Sequence, residues 1–387
     1  MNQISGLTNF IKEPSKWISG GERIGLLSHQ AAIDERFHNI LDVLKSGGIN
    51  PVALFGPEHG FSTGAQDMIS VSDESGNEAT PVFSLYGNTI ESLEPTDTAL
   101  DLVDLVICDL RDVGSRYYTY IWTALIAATK VLRLKKRFIV LDYPAVLDGI
   151  TLEGTPQKTG FESFVGFKPV PVRHGMTLGE ILNMFLPEDL KSGFTVVPCT
   201  GWKRTMLLSQ TSFPFNWPSP NMPSFNTALV YPGMCLIEAT TLSEGRGTTR
   251  PFEVIGAECL DATAIIKELH FLEGVTLREV GFTPAFHKYS GRFCNGIMLH
   301  VTDPVRFKPF HTGLAIIAAI KKVNPEIFEW RRKPYEFVMD IPAIDLLTGS
   351  DEFRKAVDSN IHPVDAWGML TDIPDDFIEK RKEFLIY

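Results

Sequence analysis

From Arg23 to about Pro198 the chain alternates short apolar runs with longer segments whose apolar residues recur at helical spacing, the pattern of successive βα units. Ile24-Gly25-Leu26-Leu27, Val52-Ala53-Leu54-Phe55, Leu105-Val106-Ile107-Cys108, Phe138-Ile139-Val140-Leu141 and Thr195-Val196-Val197 read as buried strands, being short and continuously apolar. Helices are predicted from about Phe37 to Lys45, closing on Gly47-Gly48, and from Tyr120 to Leu134. Another starts near Thr177, where Thr177 and Glu180 have capping-box spacing ahead of Ile181, Leu182 and Phe185. Between about Gly201 and Arg250 the periodicity fades and Pro, Asn, Trp and Ser accumulate, so a long functional loop, or a wrap around another domain, is expected there. After about Gly256 the signals resume with a different texture, including an amphipathic segment from His311 to Val323. The pattern predicts an α/β protein: a Rossmann-like N-terminal domain with a mainly parallel sheet over 1–255, and a smaller C-terminal α/β domain over 256–387 that closes the cleft.

Composition adds exclusions. With 387 residues, 44% hydrophobic and 21% charged, the chain has the balance of a soluble globular protein with a substantial core. A net charge of −11 and no basic block longer than Lys135-Lys136-Arg137 argue against nucleic acid as the main ligand. The five cysteines are widely spaced and form no Cys-x-x-Cys pair, which favours reduced, buried thiols. No stretch of about eighteen apolar residues exists, so no membrane insertion is expected. Met1-Asn2-Gln3-Ile4-Ser5-Gly6 lacks a basic stretch followed by an apolar one. The expectation is a cytoplasmic location, or a periplasmic one if a signal segment has been removed.

Chemistry-capable residues collect where strands end. Gly56-Pro57-Glu58-His59-Gly60 follows the second apolar run, releasing a carboxylate and an imidazole at the edge where open α/β sheets bind ligands. Asp109, Arg111, Asp112, Arg116 and Tyr117-Tyr118-Thr119-Tyr120 follow Cys108; Asp142, Tyr143 and, further on, Glu153 follow Leu141. In a parallel sheet these loops share one rim, and carboxylates, arginines and tyrosines together suit carbohydrate chemistry. Each also has a structural reading: Glu58, Asp109 and Asp112 as caps or turn formers, the tyrosines as packing, and His174 as a core histidine. A further loop, Thr241 to Arg250, places Glu244, Arg246 and Arg250 among glycines that allow close approach of a ligand. Gly-x-Gly-x-x-Gly after the first strand, a phosphate-loop signature, His-Glu-x-x-His and Gly-x-Ser-x-Gly are all absent. No cofactor or metal is therefore expected, Glu58-His59 alone being a weak metal signal.

Six segments carry a family resemblance in order along nearly the whole chain: 56–61 Gly-Pro-Glu-His-Gly-Phe, 112–120 Asp-Val-Gly-Ser-Arg-Tyr-Tyr-Thr-Tyr, 152–154 Leu-Glu-Gly, 173–180 Arg-His-Gly-Met-Thr-Leu-Gly-Glu, 218–223 Pro-Ser-Pro-Asn-Met-Pro and 243–248 Ser-Glu-Gly-Arg-Gly-Thr. Together they resemble the NamZ-type exo-β-N-acetylmuramidases, formerly a family of unknown function. The resemblance implies a Rossmann-like domain, a smaller C-terminal domain and a cleft between them. It also implies release of N-acetylmuramic acid from the non-reducing end of peptidoglycan fragments, with muramyl saccharides as ligands. On this basis Glu58 is the first choice of catalytic acid, with His59 beside it. Glu153, Asp112 and Glu244 are candidates for a second carboxylate, Glu153 ahead. Asp112, Arg116, Tyr118, Asp142, His174, Asn221, Glu244, Arg246 and Arg250 are candidate substrate contacts. From charge alone, Arg116, Arg246 and Arg250 are the candidates for the lactyl carboxylate.

The chain departs from the family pattern in places. Ser62-Thr63-Gly64 stands where Arg-Gly is usual, Arg111 where Gln is usual, and Tyr143-Pro144-Ala145-Val146 where Arg-Pro-Asn-Pro is common. These departures keep two other readings open, a sugar- or muropeptide-binding protein without turnover and a metal-dependent hydrolase. For a glycosidase, retention, inversion and participation of the 2-acetamido group all remain open.

Overall fold

The computed structural model describes residues 3–66, 68–70, 72 and 80–387; Met1 and Asn2, part of the stretch read above for a leader, lie outside it. The five apolar runs form strands β1 (Ile24–Ser28), β2 (Ala53–Gly56), β4 (Leu105–Asp109), β5 (Arg137–Leu141) and β6 (Phe194–Val197), and a short strand not read from the sequence, β3 (Val82–Ser84), adds to them. All pair in parallel, in the order β3-β2-β1-β4-β5-β6. The order reverses between β1 and β4, and that switch point opens a crevice beyond the strands' C-terminal ends.

Alternation along β1, β2, β4 and β5 buries both faces, which is why those runs are continuously apolar, while the edge strands β3 and β6 are only partly buried. Leu26, Leu54, Leu105, Ile107 and Ile139 join one core with Leu7 and Phe10 of helix Gly6–Lys12 and Ile40 and Leu44 of helix Ile40–Ser46. Leu27, Phe55, Val106, Cys108 and Phe138 point the other way, against helices Tyr120–Arg133 and Leu178–Phe185. The capping box at Thr177 and Glu180 is formed as predicted. The second helix begins three residues later than its apolar pattern suggested: Asn39 caps it at Ile40, and Phe37 sits outside it at φ 66° and exposed.

The stretch expected as a long loop contains a helix, Phe225–Met234, running into a 3₁₀ turn, Cys235–Ala239. Ser224 caps it, but Pro232 and Gly233 inside its last turn erase the helical signature. Beyond it, β7 (Val254–Ala257), β8 (Val275–Phe282) and β9 (Cys294–Val301) form a small antiparallel sheet in the order β7-β9-β8. Helix Pro309–Val323 is not amphipathic in its setting. Every residue from Pro309 to Ile320 is buried, because the helix fills the centre of the C-terminal part.

Helix Phe225–Met234 crosses helix Pro309–Val323 with backbone against backbone. A Cβ on Gly233 would lie 1.8 Å from the Pro309 carbonyl oxygen, and one on Gly313 would lie 2.3 Å from the Gly233 oxygen. Only glycine fits at either position.

Candidate active site

Helix Tyr120–Arg133 starts beside the turn that follows β2, and the two bring Glu58 to the cleft. Gly60 N donates to Pro57 O at 2.9 Å, and His59 takes φ 70°, a left-handed conformation uncommon for a residue with a side chain. The buried Glu58 carboxylate accepts the Thr119 hydroxyl at 2.7 Å on Oε2 and the Met68 amide at 3.4 Å on Oε1. It makes no ion pair among the described residues. The Tyr120 hydroxyl donates to the Pro218 carbonyl at 2.7 Å and reaches the Glu58 carbonyl at 3.2 Å, tying the turn to the 213–223 segment.

His59 Nδ1 lies 2.8 Å from the Ala65 carbonyl oxygen. A carbonyl only accepts, so Nδ1 carries the proton and Nε2 of the neutral ring is an acceptor. Burial pushes the imidazole below its usual range, although Glu58 alongside opposes the shift.

Glu58 and His59 line a small cleft with Tyr118, Asn221, Glu238, Arg246, Tyr335 and Glu336 among its walls. Glu238 projects from the 3₁₀ turn after helix Phe225–Met234. Its Oε1 is 2.6 Å from Arg246 Nη2, and its Oε2 accepts the Tyr335 hydroxyl at 2.8 Å. Glu336, at φ 45°, accepts the Tyr86 hydroxyl at 3.2 Å. Phe252 of the cleft wall is also left-handed, at φ 62°. Three lining side chains held in sparsely populated backbone conformations mark a place where the surrounding structure enforces geometry.

Behind Arg246 stands Glu244, fully buried, with Lys288 Nζ at 2.9 Å, His287 Nδ1 at 3.1 Å and Arg246 Nε at 3.4 Å. Burial alone would raise its titration; Lys288, His287 and Arg246 outweigh that and hold it far below the usual carboxylate range. The flanking glycines pack against the protein itself at the positions a side chain would take. Gly245 and Gly247 sit at φ 80° and 81°, packed on the protein's own backbone, with a Cβ on Gly247 falling 2.5 Å from the Phe286 oxygen.

The other residues singled out from the sequence lie outside the cleft walls. Glu153, the preferred second carboxylate, pairs with Arg173 at 3.0 Å and accepts the Phe310 amide at 3.2 Å, capping helix Pro309–Val323 and joining the two halves of the chain. Arg116 is buried, with its guanidinium donating to the carbonyls of Thr155, Val170 and Leu347 at 3.0, 2.9 and 2.5 Å. Asp142 accepts Thr177 Oγ1 and the Tyr387 hydroxyl, both at 2.7 Å, and the Gly179 amide at 3.0 Å, at the start of helix Leu178–Phe185. His174 is buried, taking the Met176 amide on Nδ1, with Nε2 3.9 Å from Asp112. Asp112 accepts the Gly114 amide and lines a separate cavity with Arg111 and Tyr143. Arg250 pairs with Glu253 at 3.3 Å beside a different depression, near Met298 and His300. Of the three arginines nominated for the lactyl carboxylate, Arg116 is taken up by backbone carbonyls, Arg246 is on the cleft wall paired with Glu238, and Arg250 is half exposed beside Glu253.

Sequence reasoning missed Glu238 and Glu336. Glu238 left one signal, as a lone carboxylate inside the apolar run Met234-Cys235-Leu236-Ile237-Glu238-Ala239, where burial demands a partner. Glu336 left none.

A doubly wound sheet with carboxylates, a histidine and tyrosines at its switch-point crevice is the frame of an enzyme acting on a small polar ligand. Comparison with known proteins supplies the family. Residues 24–226 match the family model described as exo-beta-N-acetylmuramidase NamZ, N-terminal, and residues 229–387 match its C-terminal counterpart. The chain belongs to the NamZ exo-β-N-acetylmuramidase family. It is 37% identical, over 99% of its length and 91% of the relative's, to the peptidoglycan beta-N-acetylmuramidase NamZ of Bacillus subtilis (strain 168). Crystal structures of two DUF1343 family proteins from Bacteroides fragilis superpose with TM-scores of 0.86 and 0.74, at 26% and 25% identity, over 100% of this chain and 99% of each of theirs.

Proposed function

We propose that this protein is an exo-acting β-N-acetylmuramidase, releasing N-acetylmuramic acid from the non-reducing end of peptidoglycan fragments. The observation that carries the reading is Glu58 itself. It is a buried carboxyl group on the cleft wall, oriented by a hydroxyl and an amide and tied to no cation among the described residues. A carboxyl group so placed can deliver a proton to the glycosidic oxygen as the C1–O bond breaks and the ring becomes oxocarbenium-like. His59, with Nδ1–H fixed on Ala65, offers Nε2 as an acceptor for a sugar hydroxyl, and Tyr118 and Asn221 supply further polar contacts.

The test is release of N-acetylmuramic acid from a muramyl-glucosamine disaccharide, with Glu58→Gln beside the wild type. Loss of on the order of 10²–10⁴ in turnover is expected for removal of the acid. Equal activity in the two proteins would remove Glu58 from the mechanism, and binding without turnover in the wild type would leave a binding protein.

A further inference from the structure

We propose that Glu238 is the second carboxylate of the reaction, an ion-paired group facing the sugar ring that steadies the positive charge developing there. This rests on the muramidase reading of the cleft. Two carboxyl groups in one glycosidase site take different roles when their surroundings differ. Here the difference is geometric. Glu58 receives a hydroxyl and an amide, whereas Glu238 receives a guanidinium on one oxygen and a phenol on the other.

The arrangement behind Glu238 fixes its orientation. Lys288 and His287 flank Glu244, Glu244 flanks Arg246, and Arg246 meets Glu238 at 2.6 Å. Charges alternate along this series, so Arg246 is held in place from behind and presents one face to Glu238. The same series gives Arg246 a task other than gripping substrate, and makes Glu244 a positioning residue. Glu153, Asp112 and Asp142 lie outside the cleft walls, which leaves Glu238 and Glu336 as the partners available to Glu58. Glu238 is chosen because a guanidinium on one oxygen and a phenol on the other pair it with a cation and fix its orientation. Glu336, which takes the Tyr86 hydroxyl across its two oxygens on a turn from the C-terminal part, is the rival the experiment includes.

The experiment compares two substrates, the muramyl-glucosamine disaccharide and a 4-nitrophenyl β-N-acetylmuramide, whose leaving group departs without a proton. Glu58→Gln should lose turnover on the disaccharide and keep much more of it on the nitrophenyl glycoside. Glu238→Gln should lose about 10²–10³-fold in kcat on both, with KM little changed, a pattern that general loosening of the fold does not produce. If Glu238→Gln melts below the assay temperature, Glu238→Asp decides, since it keeps the charge and shortens the reach. A kcat loss of about tenfold or more at unchanged KM supports the assignment, and wild-type kcat overturns it. The assignment also fails if Glu238→Gln stays within about tenfold of wild type on both substrates, or if Glu336→Gln is the variant that loses both. Absence of wild-type turnover on either substrate would instead overturn the muramidase reading, and this assignment with it.

Discussion

The Arg111 guanidinium lies on the face of the Tyr143 ring, 3.6 Å from its centroid, and pairs with the buried Asp109 at 2.7 Å. Both residues belong to the loops that follow β4 and β5. In this chain a guanidinium therefore stands between the ends of β4 and β5, with a phenol beneath it. Tyr143 is fixed in turn by its hydroxyl on the Pro214 carbonyl at 2.6 Å. Arg111→Gln should cost about 3–5 kcal/mol, because it strands Asp109 without its cation. Tyr143→Ala should cost less, and a denaturant double-mutant cycle should show coupling of about 0.5–2 kcal/mol. Strict additivity would mean that the stacking contributes nothing.

His59 should report its own tautomer. Nδ1 donates to Ala65 and burial lowers the titration, so imidazole nitrogen NMR should show a neutral ring protonated at Nδ1 at pH 6.5. A half-protonated ring at that pH would contradict the geometry.

A cation beyond the three arginines read from the sequence stands beside the cleft and suits the lactyl carboxylate. Arg331 stacks over the cleft residue Tyr335 at 5.3 Å, places Nη2 3.6 Å from Met68 Sδ and makes no ion pair among the described residues. Arg332 and Lys333 follow it, both exposed, on an otherwise acidic protein. Arg331→Gln should raise KM several-fold for an N-acetylmuramide and leave an N-acetylglucosaminide unaffected. An equal effect on both would assign Arg331 to general shape.

Acid stability follows from buried groups. His29 and His174 are pushed down to about 3 and His311 to about 4, in each case mainly by burial. Between pH 6 and 4.5 the unfolded chain protonates these rings near their ordinary 6.5 and the folded chain does not, so stability falls on acidification. Asp112 and Asp142, raised by burial to about 7 and about 6, act oppositely. The folded chain keeps protons there that the unfolded chain releases above 3.8. His59 is pushed down as well and sides with the histidines, while burial also raises Asp109, Glu153 and Asp345, which side with Asp112 and Asp142. Each lowered histidine should take about 1 kcal/mol of stability per pH unit over that interval, and each raised carboxyl group should oppose it. Asp142→Asn, by removing an opposing contribution, should therefore lose more stability than the wild type between pH 6 and 4.5 in urea melts; an unchanged or smaller loss would reverse the sign argued here.

Gly233→Ala should destabilise by about 1–3 kcal/mol or more, since the added methyl meets the Pro309 carbonyl. Because Glu238 follows five residues later, kcat should fall more than a control of equal destabilisation far from the cleft. A variant that is destabilised but fully active would show that the crossing does not govern the site.

The sheet was legible because most of its strands are buried on both faces and leave continuous apolar runs, and Glu58 was legible because it interrupts such a run at a glycine-proline turn. Helix Phe225–Met234 was not. Pro232 and Gly233 are there for a close crossing, a tertiary demand that overrides local propensity. Glu153 and Arg116 stand in the same motif segments as Glu58, and Asp142 at a strand end as Glu58 does, yet the structure places all three outside the cleft walls, where they meet helix starts and buried carbonyls. Residue type and strand-end position alone do not separate such duties from chemistry.

The crossing at Gly233 and Gly313 has a consequence for any attempt to change what the cleft accepts. Where two helices touch through side chains, a larger or smaller residue moves them apart or together, and a binding site can be resized by small steps. Here the contact is carbonyl against α-carbon, already at its minimum, so this joint has no gradual setting. Room for a bulkier sugar must come from the opposite wall, where Tyr335 and Glu336 ride on a short turn. The two sides of the cleft are therefore unequal as targets for redesign, one a fixed jaw and the other adjustable.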